Sequence, residues 1–272
     1  MNGTPPAGAC DCHAHVFGPV SRFSYVPTRS YTPPERLAAD YGAMLAGLGI
    51  RRGVIVQPSV YGTDNGATLN AIAELGPDFR GVGVLPADVD DATLADHSAK
   101  GIRGLRLSGT APGGVGLDAL EATADRLRGS GWHIQILADF EKEQDLAGRI
   151  RKLGVPVVVD HFGLVNPAAG PAGTAFSGLI SLLRDAVIWI KLSGPYLLSQ
   201  QAGWPDVTPL AGALVAANPD RLVWGTDWPH PAAATPPDDA ALLRLLDDWV
   251  PDADVRRRIL VDNPAALYGF PA

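Results

Sequence analysis

The sequence predicts an α/β fold, a single (β/α)8 TIM barrel, and three observations predict it. Eight short runs rich in Val, Ile and Leu recur along the chain. Most are nearly continuous in apolar character, as parallel strands covered on both faces are. Segments with 3.6-residue periodicity fill the gaps between them. No glycine-rich phosphate turn follows the first run, and a doubly wound open sheet would want one.

Taken in order, a short tail over residues 1–8 leads into the first strand, "CDCHAHV" (10–16). "PERLAADYGAMLAGLG" (34–49) is the first helix and "RGVIVQPS" (52–59) the second strand. The helix "DNGATLNAIAELG" (64–76) precedes the third strand, "RGVGVLPA" (80–87). "GIRGLRLSG" (101–109), "HIQILADF" (133–140), "VPVVVDHFG" (155–163), "VIWIKLSG" (187–194) and "RLVWGTDW" (221–228) complete the eight. Helical segments at 117–131, 141–154 and 177–186 separate them, and two more close the chain at 237–250 and 252–270. Several helices open on Asp, Asn or Ser and end on Gly, the expected cap chemistry. The expected organisation is one barrel domain over 1–272.

Two connections exceed simple turns. Residues 17–34 carry Phe17, Phe23, Tyr25 and Tyr31, and residues 163–176 are rich in Gly, Pro and Ala. Both leave strand C-termini, the face on which barrel sites are built, so they are expected to form walls or lids.

The bulk numbers narrow the function. The 29 acids against 22 bases give a net charge of −7 with no basic run, which argues against a nucleic-acid partner and against an anionic membrane surface. No apolar run reaches the length of a membrane span. "MNGTPPAGA" lacks the basic and apolar regions of a signal peptide, so a cytoplasmic location is expected. The two cysteines, Cys10 and Cys12, cannot staple a fold and suit a reducing compartment. Oligomerisation is left open.

Strand alternation places Asp11, His13 and His15 on one face of the first strand, looking into the barrel mouth. Cys10, Cys12 and Ala14 then pack outward against helices. His161 ends the sixth strand, and Asp227 and His230 follow the eighth, so four of six histidines fall on one rim. His97 and His133 receive no role. Arg103 and Arg106 take opposite faces of the fourth strand. Arg106, nearer its C-terminal end, is the better candidate for a substrate carboxylate, or else pairs with a barrel acid. In the loop "QPSVYGTDN", Ser59 and Tyr61 are candidate ligand donors, whereas Asp64 or Asn65 can cap the next helix.

With "CDCHAHVFGP", "YVPTRSYTPP", "QPSVYGTDN", "GIRGLRL", "VVVDHFG", "WGTDWPHP" and "NPAALYGF" in this order, the chain resembles the amidohydrolase-related branch that contains 2-pyrone-4,6-dicarboxylate lactonase and sugar-acid lactonases. The resemblance implies an amidohydrolase-type barrel that hydrolyses a lactone of a small organic acid. Asp227 would be general base on water, His13, His15 and His161 would polarise the carbonyl, and His230 would contact substrate. Tyr31 joins Arg106, Ser59 and Tyr61 as a candidate substrate contact. The resemblance also implies that no metal is needed. The pyrone dicarboxylate enzymes use further arginines after the fourth and seventh strands. Here "LRLSGTAPGG" has no second base, and Leu197 and Leu198 stand where the other is expected. A monocarboxylate or an uncharged lactone therefore fits better than a dicarboxylate.

The alternative is one zinc ion held by His13, His15, His161 and Asp227, serving a zinc-dependent hydrolase or decarboxylase. A binuclear centre is not expected, because "HIQILADF" has no lysine to bridge two metals.

Overall fold

The computed structural model describes residues 4–271; the first three residues of the expected tail lie outside it. Eight parallel strands pair in sequence order: β1 (Cys10–Ala14), β2 (Arg52–Val56), β3 (Phe79–Gly83), β4 (Ile102–Ser108), β5 (His133–Leu137), β6 (Val157–Val159), β7 (Ile188–Leu192) and β8 (Leu222–Trp224). Closure is made just beyond β8. The Asp227 amide donates to the His13 carbonyl at 2.8 Å and the His15 amide to the Trp228 carbonyl at 2.7 Å. Gly225 permits this approach, since a Cβ there would lie 2.7 Å from the His13 nitrogen. The predicted (β/α)8 barrel is therefore present.

The helices are α1 (Ala38–Leu48), α2 (Gly66–Leu75), α3 (Asp91–Ala99), α4 (Leu120–Leu127), α5 (Leu146–Ile150), α6 (Thr174–Arg184), α7 (Pro195–Leu198), α8 (Thr208–Ala217), α9 (Asp239–Trp249), α10 (Ala253–Arg257) and α11 (Asn263–Tyr268). Asp90, Asp238 and Asp252 cap α3, α9 and α10 by accepting from backbone amides in the first turn. Leu179, Leu182 and Leu183 of α6, with Leu242, Leu243 and Leu246 of α9, bury one helix face each. The sequence reading did not single out α8. Its "TPLAGALVAA" is apolar nearly all round and carries little helical period. The expected helix over 141–154 shortens to α5, because residues 139–143 turn tightly around Asp139.

The inside of the barrel corrects one expectation. Cys10 and Cys12 cluster with Val54, Val56, Val82, Val158 and Val223, the inward set, whereas Ile55, Ile134, Ile190 and Leu222 belong to the cluster shared with the helices. Asp11 points outward and accepts from Tyr41 Oη of α1 at 3.1 Å, Thr226 Oγ1 at 2.7 Å and the Thr226 amide at 2.9 Å. Strict alternation fails because the β1–β2 register slips between Asp11 and Ala14, and such a slip re-aims the residues beyond it. Tyr268 and Phe270 fill the barrel floor. The Tyr268 ring meets His133, and Arg52 and Arg80 lie over Phe270.

No helix among the described residues is long and apolar enough to cross a membrane.

Candidate active site

A cavity of about 550 Å³ opens at the C-terminal ends of the strands. Its walls include His15, Tyr31, Ser59, Arg106, His161 and Asp227, all expected site residues. Ser30 and Tyr31 bring in the 17–34 loop and Leu164 the 163–176 loop, so both long connections form walls.

At the mouth three imidazoles converge on one carboxylate. The His13 ring centroid lies 5.0 Å from that of His15 and 4.6 Å from that of His161. Asp227 Oδ1 is 3.4 Å from His13 Nε2 and 3.5 Å from His15 Nε2, and its Oδ2 is 4.0 Å from His161 Nε2. Tyr196 Oη of α7 donates to Asp227 Oδ2 at 2.5 Å. Burial alone would raise the Asp227 carboxyl, but His161, His15 and His13 outweigh it and hold it below the usual carboxylate range. Burial keeps His161 and His13 below the usual imidazole range, with Asp160 opposing part of that fall in both.

Beneath this layer lies a buried ionic network. Asp160 Oδ2 accepts from Arg106 Nε at 3.2 Å and from Gln135 Nε2 at 3.0 Å. Lys191 Nζ, fully buried on β7, donates to Gln135 Oε1 at 2.7 Å and lies 3.2 Å from His13 Nδ1 and 3.4 Å from Asp160 Oδ1. Burial would raise Asp160, yet Lys191, His13 and Arg106 hold it well below the usual carboxylate range. Arg106 lines the cavity and pairs with a barrel acid, the second of its two expected roles.

The backbone around the site is strained. Of the seven non-glycine residues with positive φ among those described, His161, Phe162, Leu164, Asp227 and His230 fall in the segments after β6 and β8. Backbone held in this region costs on the order of 1–3 kcal/mol per residue, and the surrounding contacts must impose it.

The amidohydrolase family profile matches residues 10–270. The chain belongs to the amidohydrolase family. It is 38% identical to 4-sulfomuconolactone hydrolase of Hydrogenophaga intermedia over 97% of this chain and 89% of the relative. It is 35% identical to 2-pyrone-4,6-dicarboxylate hydrolase of Comamonas testosteroni, over 97% and 90%. A ligand-free crystal structure of an Agrobacterium tumefaciens protein superposes with a TM-score of 0.92 at 32% identity, covering 99% of this chain and 98% of that one.

Two expected ligand contacts of this amidohydrolase are not brought to the cavity. Tyr61 turns into its own loop: its hydroxyl accepts from the Gly18 amide at 2.7 Å and its ring packs on Tyr25. His230 is buried beside the cavity, Nε2 held by Asp239 Oδ1 at 2.9 Å and its ring edge-on to Tyr196. His13 lies one layer below the wall, behind His15 and Asp227. Of the two capping candidates, Asp64 accepts from the Gly66 amide at the start of α2.

Tyr196, Asp160, Gln135 and Lys142 were not assigned roles from the sequence. Lys142 lines the cavity and pairs with Asp139 Oδ2 at 2.7 Å. It lies in a segment whose periodicity reads as helix. Leu197 does line the wall opposite, where an arginine would be expected in a dicarboxylate enzyme.

Two ligand triplets, His13 with His15 and Asp227 and His13 with Asp160 and His161, have donor atoms within 4.8 Å of one another and so meet the spacing of a metal site. Both include His13, whose Nδ1 lies 3.2 Å from Lys191 Nζ.

Proposed function

We propose that this amidohydrolase hydrolyses the ester bond of a small lactone, with Asp227 as general base on water and without a metal. The observation that carries the reading is a carboxylate on the cavity wall, held ionised, with three imidazoles around it. An ionised carboxylate takes a proton from water as the water attacks the ring carbonyl. Imidazole N–H groups from the set His13, His15 and His161 would meet the negative charge that develops on the carbonyl oxygen, where fixed donors act most strongly. The lactone's own oxygen leaves as an alkoxide or enolate, which needs less activation than an amide nitrogen.

The wall supports a small organic acid as substrate. Leu137, Leu164 and Leu197 offer an apolar face to the ring, while Arg106 and Lys142 supply positive charge for an acidic substituent. Tyr31 and Ser59 add hydroxyl donors on the loop side. The activities named for the two similar hydrolases support ring opening as the reaction class.

A hydrolysis screen over pyrone, muconolactone-type and aldonolactone substrates tests this reading. Ring opening of at least one is expected, with Asp227→Asn lowering kcat on the order of 100-fold or more while thermal unfolding is preserved. No turnover on any of the three classes would contradict it.

The spacing of the two ligand triplets favours the zinc reading enough to require its own test. Activity is expected to survive exhaustive chelation. Stoichiometric zinc in the purified protein, with activity lost on its removal and restored on its return, would replace the metal-free reading.

A further inference from the structure

The hydrogen-bond chain through His13 and His15 has two ends of fixed polarity. At one end is the Lys191 ammonium, a donor with no lone pair, 3.2 Å from His13 Nδ1. At the other is the Val56 carbonyl, an acceptor only, 2.7 Å from His15 Nδ1. Between them the two Nε2 atoms meet at 3.3 Å. We propose that Lys191 sets a one-way order of protons in the site, so that His13 carries its hydrogen on Nε2 and His15 carries its hydrogen on Nδ1.

Each link then has one donor and one acceptor. Lys191 Nζ donates to His13 Nδ1, His13 Nε2 donates to His15 Nε2, and His15 Nδ1 donates to Val56. The reverse order would aim an N–H of His13 at an ammonium. The competing partner for His13 Nδ1 is Asp160 Oδ1 at 3.3 Å, whose carboxylate is also engaged through Oδ2 with Arg106 and Gln135; the His15 end decides, because Val56 fixes the His15 hydrogen on Nδ1 and leaves its Nε2 as the acceptor for His13 Nε2. Asp160 Oδ1, 3.4 Å from Lys191 Nζ, opposes the fall that burial imposes on the Lys191 ammonium.

The order divides labour among the three histidines and so deepens, and rests on, the lactonase reading. His15 presents an unprotonated Nε2 at the cavity and cannot be the N–H donor to a carbonyl in its neutral form. His161 differs: its Nδ1 contacts Ser193 Oγ at 2.9 Å, a hydroxyl that donates or accepts, so its Nε2 is free to carry the hydrogen. The carbonyl-polarising role therefore passes chiefly to His161, and Lys191 is a positioning residue acting through His13. The same order leaves His13 Nε2 without the lone pair that the triplet with His15 and Asp227 would need from it.

Long-range proton–nitrogen correlation spectra of the full chain labelled with nitrogen-15 histidine test this directly. His13→Gln and His15→Gln serve only to assign the two signals. The expected spectrum has His13 as the Nε2–H tautomer and His15 as the Nδ1–H tautomer; His13 as Nδ1–H overturns the proposal. In Lys191→Met the His13 signal is expected to move to Nδ1–H, with Asp160 Oδ1 as its new acceptor, and an unmoved signal removes Lys191 from the role. The wild-type spectrum decides even if that variant does not fold. Because the spectrum reads tautomers in the resting protein, failure of the lactonase reading would leave it unchanged.

Discussion

Tyr196 holds one oxygen of Asp227 with a short hydrogen bond and leaves the other facing two imidazole Nε2 atoms. A hydroxyl donating to a carboxylate stabilises its ionised form and fixes the direction of its remaining lone pairs. Tyr196→Phe is expected to lower kcat about tenfold, as the loss of one hydrogen bond to a charged group does, with KM less affected. The sign for pH follows: losing a donor raises the Asp227 pKa towards the usual carboxylate range, so the acid limb of kcat against pH moves upward. A pH–rate profile of the variant checks both; an unshifted limb with full kcat would remove Tyr196 from the site.

At this same scale the sequence showed His15, His161, Asp227 and Arg106, because polar residues ending apolar strands stand out. It did not show Tyr196, which follows a strand by four residues and reaches the site only through the turn of α7. Asp160, within "VVVDHFG", carries no signal of its own, because its partners Arg106, Gln135 and Lys191 come from three other strands and only the closed barrel brings them to it.

Among the elements, the junction of β1 with the segment after β8 decides whether the barrel closes. Asp11 joins the two by accepting from Thr226 through both carboxylate oxygens, and Tyr41 ties it to α1. Burial pushes Asp11 up to about 6 from an aspartate's ordinary 3.8, with the hydrogen bonds to Thr226, His13 and Tyr41 opposing part of that rise. The folded protein therefore holds this proton after the unfolded chain has released it. Asp11's contribution to stability falls as pH rises from about 4 to about 6, by up to roughly 1.4 kcal/mol per unit, and is level above that. Unfolding free energies of the wild type and Asp11→Asn, compared from pH 4 to 7, check this: the wild type should lose stability relative to the variant across that window. A constant difference would mean that Asp11 is not perturbed.

The eight strands were legible because buried parallel strands read as continuous apolar runs. The faces of β1 were not. Alternation rests on an unbroken ladder, and the register slip after Asp11 has no signature in "CDCHAHV".

For the whole molecule, a chain with net charge −7 places Arg106 and Lys142 on the wall of its C-terminal cavity, each beside a carboxylate that partly offsets it. Global charge argues against polyanionic partners, while the local charge that matters for a small acid is set by a few residues within several ångströms. Tyr268 and Phe270 fill the barrel floor, and the cavity opens beside Asp227 at the opposite, C-terminal end. On the proposed lactonase reading, water attacks the acyl carbon of a ring held against the histidines. Turnover of a lactone found in the screen, run in water enriched in oxygen-18, tests this most directly. One heavy oxygen is expected in the newly formed carboxylate and none in the released hydroxyl or enol. Label in the hydroxyl, or product formed with no label at all, would contradict hydrolysis at the carbonyl.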